Sequence, residues 1–478
     1  MLKIWYLKRY IVAILAFFGF MNIYSLRSNL SIAIVDMTSL KNVSLQNGTN
    51  VLEREFEWNS TLQGYVLSSF FYGYIFTQII GGFLAAKLGG ARVFGLGIAS
   101  TSLLTLVTPW IAKTSVYFLI AIRILEGALE GVTYPAMQEI WSHWAPPSEK
   151  SRLVSIAGSG SYFGAVVAMP ICSLLATYFG WESIFYTFGV IGFIWYAIWL
   201  VVVADTPSTD KYIKEKEVKY INEAISSIKS DEKISTPWCT ILKSRAVWAS
   251  SVCLYCETWG FYTLLTFLPQ MMKSLLGFDL NQAGFLSALP YLAMSIMVQV
   301  GGFLADYILG KKYITTTQTR KLGIIVGFTF QSLFILIAGY WISKFGTPFC
   351  LVTAVGLGGL ALSSLLINPL DIAPKFAGVI FGINNSFATI PGIVSPILTG
   401  YIVTDQTSVA QWRIVFYIAS ATYLFGAIFS FLFTDGQQQS WADITVPHNN
   451  KLESAIGYEN HTIEVDCSEY ANKTSQIE

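Results

Sequence analysis

The stretch that decides the fold runs from residue 123 to residue 141 and reads Arg123-Ile-Leu-Glu-Gly-Ala-Leu-Glu-Gly-Val-Thr-Tyr-Pro-Ala-Met-Gln-Glu-Ile-Trp141. It lies in an apolar segment, 116–141, that is long enough to cross a bilayer. Spacings of three and four residues place Arg123, Glu126 and Glu130 on one face of a helix. Because an ionisable side chain near the bilayer centre costs about 2.5–3.5 kcal/mol on insertion scales, this face must pair its charges or line a water-filled cavity.

The composition of the whole chain is that of a polytopic membrane protein. Hydrophobic residues make up 54% of the 478 residues and charged residues 12%, whereas a soluble domain contains about 25% charged residues. The net charge of +1 predicts no nucleic-acid partner. The sequence contains no HExxH, GxSxG or P-loop motif, so we expect neither an enzyme nor a catalytic residue.

The histidines restrict the chemistry that is available inside the membrane. His143, His448 and His461 are the three histidines of the chain, and all fall outside the apolar segments. We therefore expect no metal site and no resident cofactor. Buried carboxylates remain as the candidate proton carriers.

Hydropathy predicts an all-α membrane protein with twelve transmembrane helices. Of the 30 lysines and arginines, twenty lie on the side of the N-terminus and only six in the opposite loops. This bias predicts that both termini are cytosolic. The predicted spans are 10–36, 62–87, 93–112, 116–141, 154–179, 184–204, 247–269, 284–307, 321–342, 349–368, 378–402 and 414–433.

An internal repeat divides these spans into two halves. Gly81-Gly-Phe-Leu-Ala85 recurs as Gly301-Gly-Phe-Leu-Ala305, in the second span of each six-span group. Parallel halves of this kind, related by an axis along the membrane normal, are a known transporter architecture. The sequence therefore predicts two pseudo-symmetric six-helix halves, 1–204 and 247–433.

The segments outside the two halves are more polar. In the central loop, 205–246, a stripe of apolar residues at helical spacing predicts an amphipathic helix at the cytosolic face: Val218, Ile221, Ile225 and Ile228. We expect the tail, 434–478, to be a disordered cytosolic segment. The loop 37–61, on the opposite side, contains glycosylation sequons at Asn42, Asn47 and Asn59.

Several motifs resemble known transporter families. Residues 82–92, Gly-Phe-Leu-Ala-Ala-Lys-Leu-Gly-Gly-Ala-Arg, resemble the loop signature of the major facilitator superfamily. Longer stretches resemble the anion/cation symporter family of sialins, vesicular glutamate transporters and sodium/phosphate cotransporters, and within it the sialin-like branch. They are 27–36, 69–78, 130–137, 144–147, 259–265, 370–374 and 387–392. Glu257 stands where the vesicular glutamate transporters have an arginine, which makes that branch less similar.

The resemblance implies a monomeric major facilitator fold that works by alternating access. It implies a small anionic substrate, with sialic acid or another acidic sugar or carboxylate favoured, and a proton as the coupling ion. It also implies a lysosomal, vesicular or plasma membrane. The signature loop and its second-half copy suggest a latch between the halves at the cytosolic side, formed by Lys87, Arg92 and Asp306.

Arg27, in the first span, is the favoured substrate-binding residue. Its guanidinium is planar, binds carboxylates or phosphates through two parallel hydrogen bonds, and stays charged at any relevant pH. The alternative is a structural salt bridge within the bundle. We expect Tyr134, Glu257 and Asn385 to contribute to the same substrate site. The alternatives are a structural role facing water for Glu257 and a packing or interface role for Tyr134.

Arg123, Glu126 and Glu130 are the candidate proton-coupling residues. Burial disfavours the charged form of a carboxylate and a nearby arginine favours it, so protonation could change which partner Arg123 holds. The alternative is a permanently ionised structural network, which competes more strongly for Glu126 than for Glu130.

Two other functions remain open at this stage. A sodium-dependent cotransporter of inorganic phosphate or organic anions would use Arg27 equally well, with Na⁺ in place of H⁺. A membrane receptor or scaffold that transports nothing is the alternative of another class, although it would have no need of charges inside the bilayer.

Overall fold

The computed structural model describes residues 7–44, 50–146, 149–226 and 236–442. Apart from one hairpin, its regular elements are helical, as hydropathy predicted. The helices are α1 (Lys8–Met37), α2 (Ser60–Leu88), α3 (Gly90–Thr114), α4 (Val116–Glu130), α5 (Thr133–Trp144), α6 (Lys150–Phe179), α7 (Glu182–Val202), α8 (Glu215–Ser226), α9 (Trp238–Lys243), α10 (Arg245–Ser274), α11 (Leu280–Gly310), α12 (Thr316–Tyr340), α13 (Gly346–Ile372), α14 (Ala377–Ile402) and α15 (Val409–Phe433). Strands β1 (Leu40–Ser44) and β2 (Asn50–Arg54) pair antiparallel, with Leu40 opposite Arg54.

Membrane-spanning helices account for most of the described chain. By length and composition, nine described helices can cross a membrane, or ten if the bent pair Ser60–Gln78 and Ile80–Leu88 is one span. The other two predicted spans correspond to α10, which is less apolar, and to the shorter helices α4 and α5. The chain is therefore a multi-pass membrane protein, and twelve spans fit its helices.

The fourth predicted span, 116–141, is not one continuous helix. It breaks into α4 and α5 at Gly131 and Val132. Pro135, in the first turn of α5, has no N–H to donate to the carbonyl four residues earlier, whereas proline is tolerated in the first turn of a helix. The break ends α4 directly after Glu130.

The helices form two halves, α1–α7 and α10–α15, which meet where α2 packs on α14, α6 on α11 and α1 on α10. We call the side that carries the β1–β2 hairpin the hairpin side, and the side where α1 begins and α15 ends the termini side. On the hairpin side the halves are in close contact. Gln270 donates to Gln63 at 2.7 Å and Thr177 to Asn281 at 3.0 Å.

The two halves separate towards the termini side. Among the described residues, Gln78 is the last residue of α2 that hydrogen-bonds to the other half. Hydrogen bonds among the described residues thus join α2 to the other half from the hairpin side as far as Gln78, which indicates a state that is closed on the hairpin side and open on the termini side.

The central segment folds back on the first half, and α8 lies on its termini side. Ile221 is fully buried, as its place in the predicted apolar stripe requires, whereas Ile228 lies outside the described residues. The carboxylate of Glu217 accepts hydrogen bonds from the backbone N–H groups of Lys8 at 3.0 Å and Arg9 at 3.2 Å, and from Arg9 Nη1 at 2.9 Å. It thereby caps the free N–H groups at the start of α1.

We call these hydrogen bonds between Glu217 and the start of α1 the clamp. Arg9 also links the clamp to the start of α6. Its Nε and Nη2 donate to the two oxygens of Glu149 at 3.0 and 2.9 Å. Hydrogen bonding by Arg9 lowers the pKa of Glu149. The stability that this group contributes is therefore present above the ordinary glutamate pKa of about 4.3 and is lost only as the pH falls below that range.

Replacing Glu217 with glutamine is expected to loosen α8 from the first half. Loss of the charged hydrogen bonds at the start of α1 costs on the order of 2 kcal/mol, because a hydrogen bond to a charged group contributes about 1.5–3 kcal/mol. Limited proteolysis within the central segment should become about thirtyfold faster. Glu215→Gln, at an exposed position on the same helix, is the matched control, and equal cleavage rates in the two variants would contradict the clamp.

The first residues of the predicted disordered tail are folded. Thr317 Oγ1 donates to Asp435 Oδ1 at 2.9 Å, and Asn368 Nδ2 donates to the Asp435 carbonyl at 2.6 Å. The backbone N–H of Gln439 donates to Ile372 at 2.9 Å. Residues 434–442 therefore belong to the second half, because they supply partners to the ends of α12 and α13. The rest of the predicted tail lies outside the described residues.

Candidate functional site

Arg27 of α1 and Glu130 of α4 form a buried ion pair. Their side chains are 2% and 1% exposed. Arg27 Nε donates to Glu130 Oε1 at 3.1 Å, and Nη2 donates to the same oxygen. The other carboxylate oxygen, Oε2, accepts no hydrogen bond from any described residue. Arg27 thus has an anionic partner whose own hydrogen-bonding capacity is half used.

Aromatic rings surround the Arg27 guanidinium. Its Cζ lies 4.7 Å from the ring centroids of Tyr24 and Tyr74, 5.0 Å from that of Phe70 and 6.0 Å from that of Phe71. Ring faces attract a cation, although less strongly than a carboxylate does, and they exclude water. We call these four rings the aromatic cage. A guanidinium inside it depends on an anion for most of the compensation of its positive charge.

The second buried ion pair lies within α4. Arg123 Nη1 donates to Glu126 Oε2 at 2.6 Å. The other oxygen of Glu126 accepts hydrogen bonds from Thr105 at 3.2 Å and, more weakly, from Thr108 at 3.5 Å. Both oxygens of Glu126 therefore have partners, which is the arrangement of a structural ion pair.

Arg123, Glu126 and Glu130 lie along one helix as predicted, but their charges do not form one network. Glu130 pairs with Arg27 from another helix, whereas Glu126 pairs with Arg123. The ring of Phe70 lies between the pairs, 5.0 Å from the Arg27 guanidinium and 5.4 Å from that of Arg123. The two carboxylates consequently differ: Glu126 is fully hydrogen-bonded and Glu130 is not.

Glycines bring α2 and α4 together at this site. A Cβ atom on Gly127 would collide with the backbone of Phe70, and one on Gly131 with Thr77 and the Tyr74 carbonyl. From α2, Gly73 meets the backbone of α4 in the same way. This close approach places Phe70 and Tyr74 beside the two arginines.

Comparison with known protein families decides the identity of this architecture. The family model of the Major Facilitator Superfamily matches residues 10–392 of this chain. The chain belongs to the major facilitator superfamily. Members of this superfamily are transporters, and the protein is accordingly a membrane transporter and not an enzyme.

Two human transporters illustrate its relatives within the superfamily. The chain is 42% identical to human sialin over 450 residues, which cover 91% of this chain and 90% of sialin. It is 40% identical to human vesicular glutamate transporter 2 over 442 residues, which cover 91% of this chain and 75% of that protein. The predicted resemblance to the sialin and vesicular glutamate transporter family is confirmed.

Solved structures agree with the major facilitator fold. A bacterial homologue of the human lysosomal transporter Spinster, in an inward-facing and unoccupied conformation, has a TM-score of 0.70 at 14% identity and covers 89% of this chain and 96% of its own. The inward-open xylose transporter XylE from E. coli has a TM-score of 0.67 at 12% identity, with 90% and 98% covered. At such low identity these likenesses concern the fold alone.

The other predicted substrate-site residues do not converge on Arg27. Tyr134 shares a hydrogen bond with Ser161 at 2.9 Å and donates to Tyr24 at 3.5 Å, so it reaches Arg27 only through the cage. Asn385 donates to Gln78 at 3.0 Å, across the contact between the halves. Glu257 is hydrogen-bonded by Gln331 within the second half rather than by Arg27.

The residues of the predicted latch lie on the open termini side. Arg92 Nε pairs with Asp205 Oδ2 at 3.1 Å, which joins the first half to the start of the central segment and not to the second half. Lys87 and Asp306 are exposed, and among the described residues neither forms an ion pair across to the other half. A latch between the halves stays a prediction for the state in which this side is closed.

The predicted glycosylation sites lie on or near the hairpin. Asn42 is in β1 and Asn47 lies outside the described residues. Asn59 is exposed at the start of α2, where its side chain accepts a hydrogen bond from the Leu62 N–H at 2.8 Å. Glycosylation of these residues stays a prediction.

Sequence reasoning missed several residues of the site. Tyr24 and Phe70 of the cage were not singled out, nor were the partners of Glu126, Thr105 and Thr108. Their spacing does carry a signal: Tyr24 precedes Arg27 by three residues, and the two threonines are three residues apart, so each pair lies on one helix face. Among the described residues no group of three or more His, Cys, Asp or Glu is placed to hold a metal ion.

Proposed function

We propose that this transporter is a proton-coupled symporter of small organic anions that works by alternating access. The observation that carries the proposal is the Arg27–Glu130 pair, a caged guanidinium whose partner is a carboxylate that can be protonated. Human sialin and vesicular glutamate transporter 2 are similar over nine-tenths of the chain, which supports an anionic substrate. Sialic acid or another acidic sugar is the favoured class.

The coupling follows from charge balance at Arg27. With Glu130 ionised, the pair is neutral and the empty site is stable. Protonation of Glu130 removes the negative charge, and a buried charge without a partner costs about 3–5 kcal/mol. A substrate carboxylate then takes the place of the Glu130 carboxylate on the guanidinium fork. The loaded site, with one proton and one anion, is again neutral, so the two enter together.

The contacts between the halves support alternating access. Arg27 and the cage lie where the halves meet, since the ring of Phe71 is 4.6 Å from that of Tyr262 on α10. Contact on the hairpin side and separation on the termini side leave a path from the site to the termini side. With the termini in the cytosol, as the positive charges predict, this state faces inward.

The proposal predicts proton-driven accumulation that does not depend on the membrane potential. Proteoliposomes of the purified protein should accumulate labelled sialic acid up to about tenfold per pH unit, because one unit corresponds to about 1.4 kcal/mol. Clamping the potential with potassium and valinomycin should leave this accumulation unchanged, since the loaded site is neutral.

The same vesicles separate the alternatives. A sodium gradient at uniform pH, with labelled inorganic phosphate offered in parallel, tests the sodium-coupled cotransporter. Uptake that follows only the sodium gradient, or phosphate as the preferred substrate, would overturn the proposal. A complete lack of flux would favour a receptor or scaffold. For the cell, we propose a lysosomal, vesicular or plasma membrane with both termini in the cytosol, which fluorescent tagging can test.

A further inference from the structure

Among the described residues, a buried carboxylate in the second half has no cation to compensate it. Glu257 of α10 is 2% exposed, and Gln331 of α12, which is 1% exposed, hydrogen-bonds to it. Gln331 Nε2 donates to Glu257 Oε1 at 3.3 Å, which is long for a hydrogen bond to an ionised carboxylate. The Arg27–Glu130 mechanism makes no use of this pair.

Two oxygen atoms of the pair have no partner. Among the described residues, Glu257 Oε2 and Gln331 Oε1 are both buried without a hydrogen bond. Both atoms are acceptors when the glutamate is ionised, so neither can satisfy the other. Leaving two buried acceptors unsatisfied costs free energy for each, and more for the charged one.

One proton satisfies both atoms. A carboxylic acid and a primary amide are complementary: the amide N–H donates to one carboxyl oxygen while the acid O–H donates to the amide oxygen. The existing Nε2 to Oε1 hydrogen bond is the first half of such a ring. We infer that Glu257 and Gln331 form a proton-binding site in the second half, separate from the Arg27 site, and that Glu257 holds the proton while the termini side is open.

The groups that face Glu257 supply no positive charge. Among the described residues, the titratable groups that interact electrostatically with Glu257 are two hydroxyls and a thiol, those of Tyr162, Tyr423 and Cys256, and Tyr423 interacts in turn with the hydroxyl of Tyr291. Arg27, the cation of neighbouring α1, is bound to Glu130. An ionised Glu257 would therefore be an unpaired buried charge, whereas a protonated Glu257 is neutral.

The packing around Gln331 holds its amide in place. A Cβ atom on Gly358 of α13 would collide with the nitrogen, carbon and oxygen of that amide. The missing side chain makes the space that the amide fills, so the amide cannot move away without leaving a cavity. A sodium ion fits this site less well, because the amide N–H that faces the carboxylate would be directed at the ion.

Infrared spectroscopy of the full chain in lipid vesicles at neutral pH tests this site without any transported substrate. We expect a C=O stretching band of a protonated carboxyl group in the wild-type protein and its loss in Glu257→Gln, which reproduces the neutral side chain. Glu53→Gln, an exposed hairpin glutamate, should leave the band unchanged. Gln331→Met should keep the band but shift it to higher frequency, because the acid O–H loses its acceptor.

Three outcomes would overturn the proton site. They are the absence of the band in the wild-type protein, a band that persists unchanged in Glu257→Gln, and a band that sodium chloride removes while potassium chloride does not. Should Glu257→Gln fail to fold, the Gln331→Met shift and the sodium titration still decide the matter. Because no flux is measured, the result does not depend on whether the proposed transport is correct.

Discussion

Arg27→Ala is expected to abolish anion uptake while the protein still reaches its membrane. The substitution removes the guanidinium fork and leaves the cage without a cation. Hydrogen bonds to a charged group contribute about 1.5–3 kcal/mol each, so loss of two lowers uptake by two orders of magnitude or more. Initial uptake rates in proteoliposomes, normalised to folded protein, measure the effect. Transport at normal affinity would show that Arg27 is only structural.

Stability has to be separated from transport in this experiment. Arg27→Ala leaves Glu130 buried without its cation, and breaking a buried pair from one side costs about 3–5 kcal/mol of stability. The double variant Arg27→Ala, Glu130→Gln removes both charges, and we expect it to recover stability but not uptake. Arg27→Lys keeps the charge without the planar fork, and its uptake should fall between that of the wild-type protein and that of Arg27→Ala. Arg54→Ala, on the exposed hairpin, is the control for expression.

The helices could be predicted because hydrophobic runs determine them locally. The predicted spans 62–87 and 378–402 agree within a few residues with α2 and α14. The predicted span 116–141 differs from the structure because hydropathy does not detect the break between α4 and α5. Val132 and Pro135, which lie at this break, are as apolar as their neighbours. The break depends on a missing N–H, which is a property of backbone hydrogen bonding and not of side-chain hydrophobicity.

The pairing of charges could not be predicted, because it depends on which helices become neighbours. Spacing placed Glu130 on the face of Arg123, but the side chain of Glu130 reaches Arg27, which is 103 positions away in the sequence. Glu257 illustrates the same limit. Its burial was expected from the apolar segment, whereas its partner Gln331 is 74 positions away in the sequence and is brought to it only by the tertiary fold.

Glu130→Gln is expected to stop net, pH-driven uptake while allowing exchange of substrate for substrate. Glutamine reproduces the neutral, protonated side chain, so Arg27 is permanently free to bind an anion. The loaded carrier is then neutral at this site and can reorient. The empty carrier has an uncompensated guanidinium in the aromatic cage, and about 3–5 kcal/mol for such a buried charge slows its return by roughly two to four orders of magnitude.

Two uptake measurements on the same vesicles test this separation. Net uptake into empty vesicles under a pH gradient requires the empty carrier to return, whereas uptake of label into vesicles preloaded with unlabelled substrate does not. Glu130→Gln should fail the first and retain the second, and its exchange rate should not vary with pH. An unchanged pH dependence of net uptake would rule out Glu130 as the coupling carboxylate.

Glu126→Gln is the matched control, since it changes a carboxylate one helical turn away in the same helix. Both oxygens of Glu126 are held, by Arg123 on one side and by Thr105 and Thr108 on the other. We therefore expect Glu126→Gln to lower the thermal stability but to keep proton-driven net uptake in the molecules that remain folded. Loss of coupling in Glu126→Gln but not in Glu130→Gln would reverse the assignment, because the proton would then reside on the fully hydrogen-bonded carboxylate.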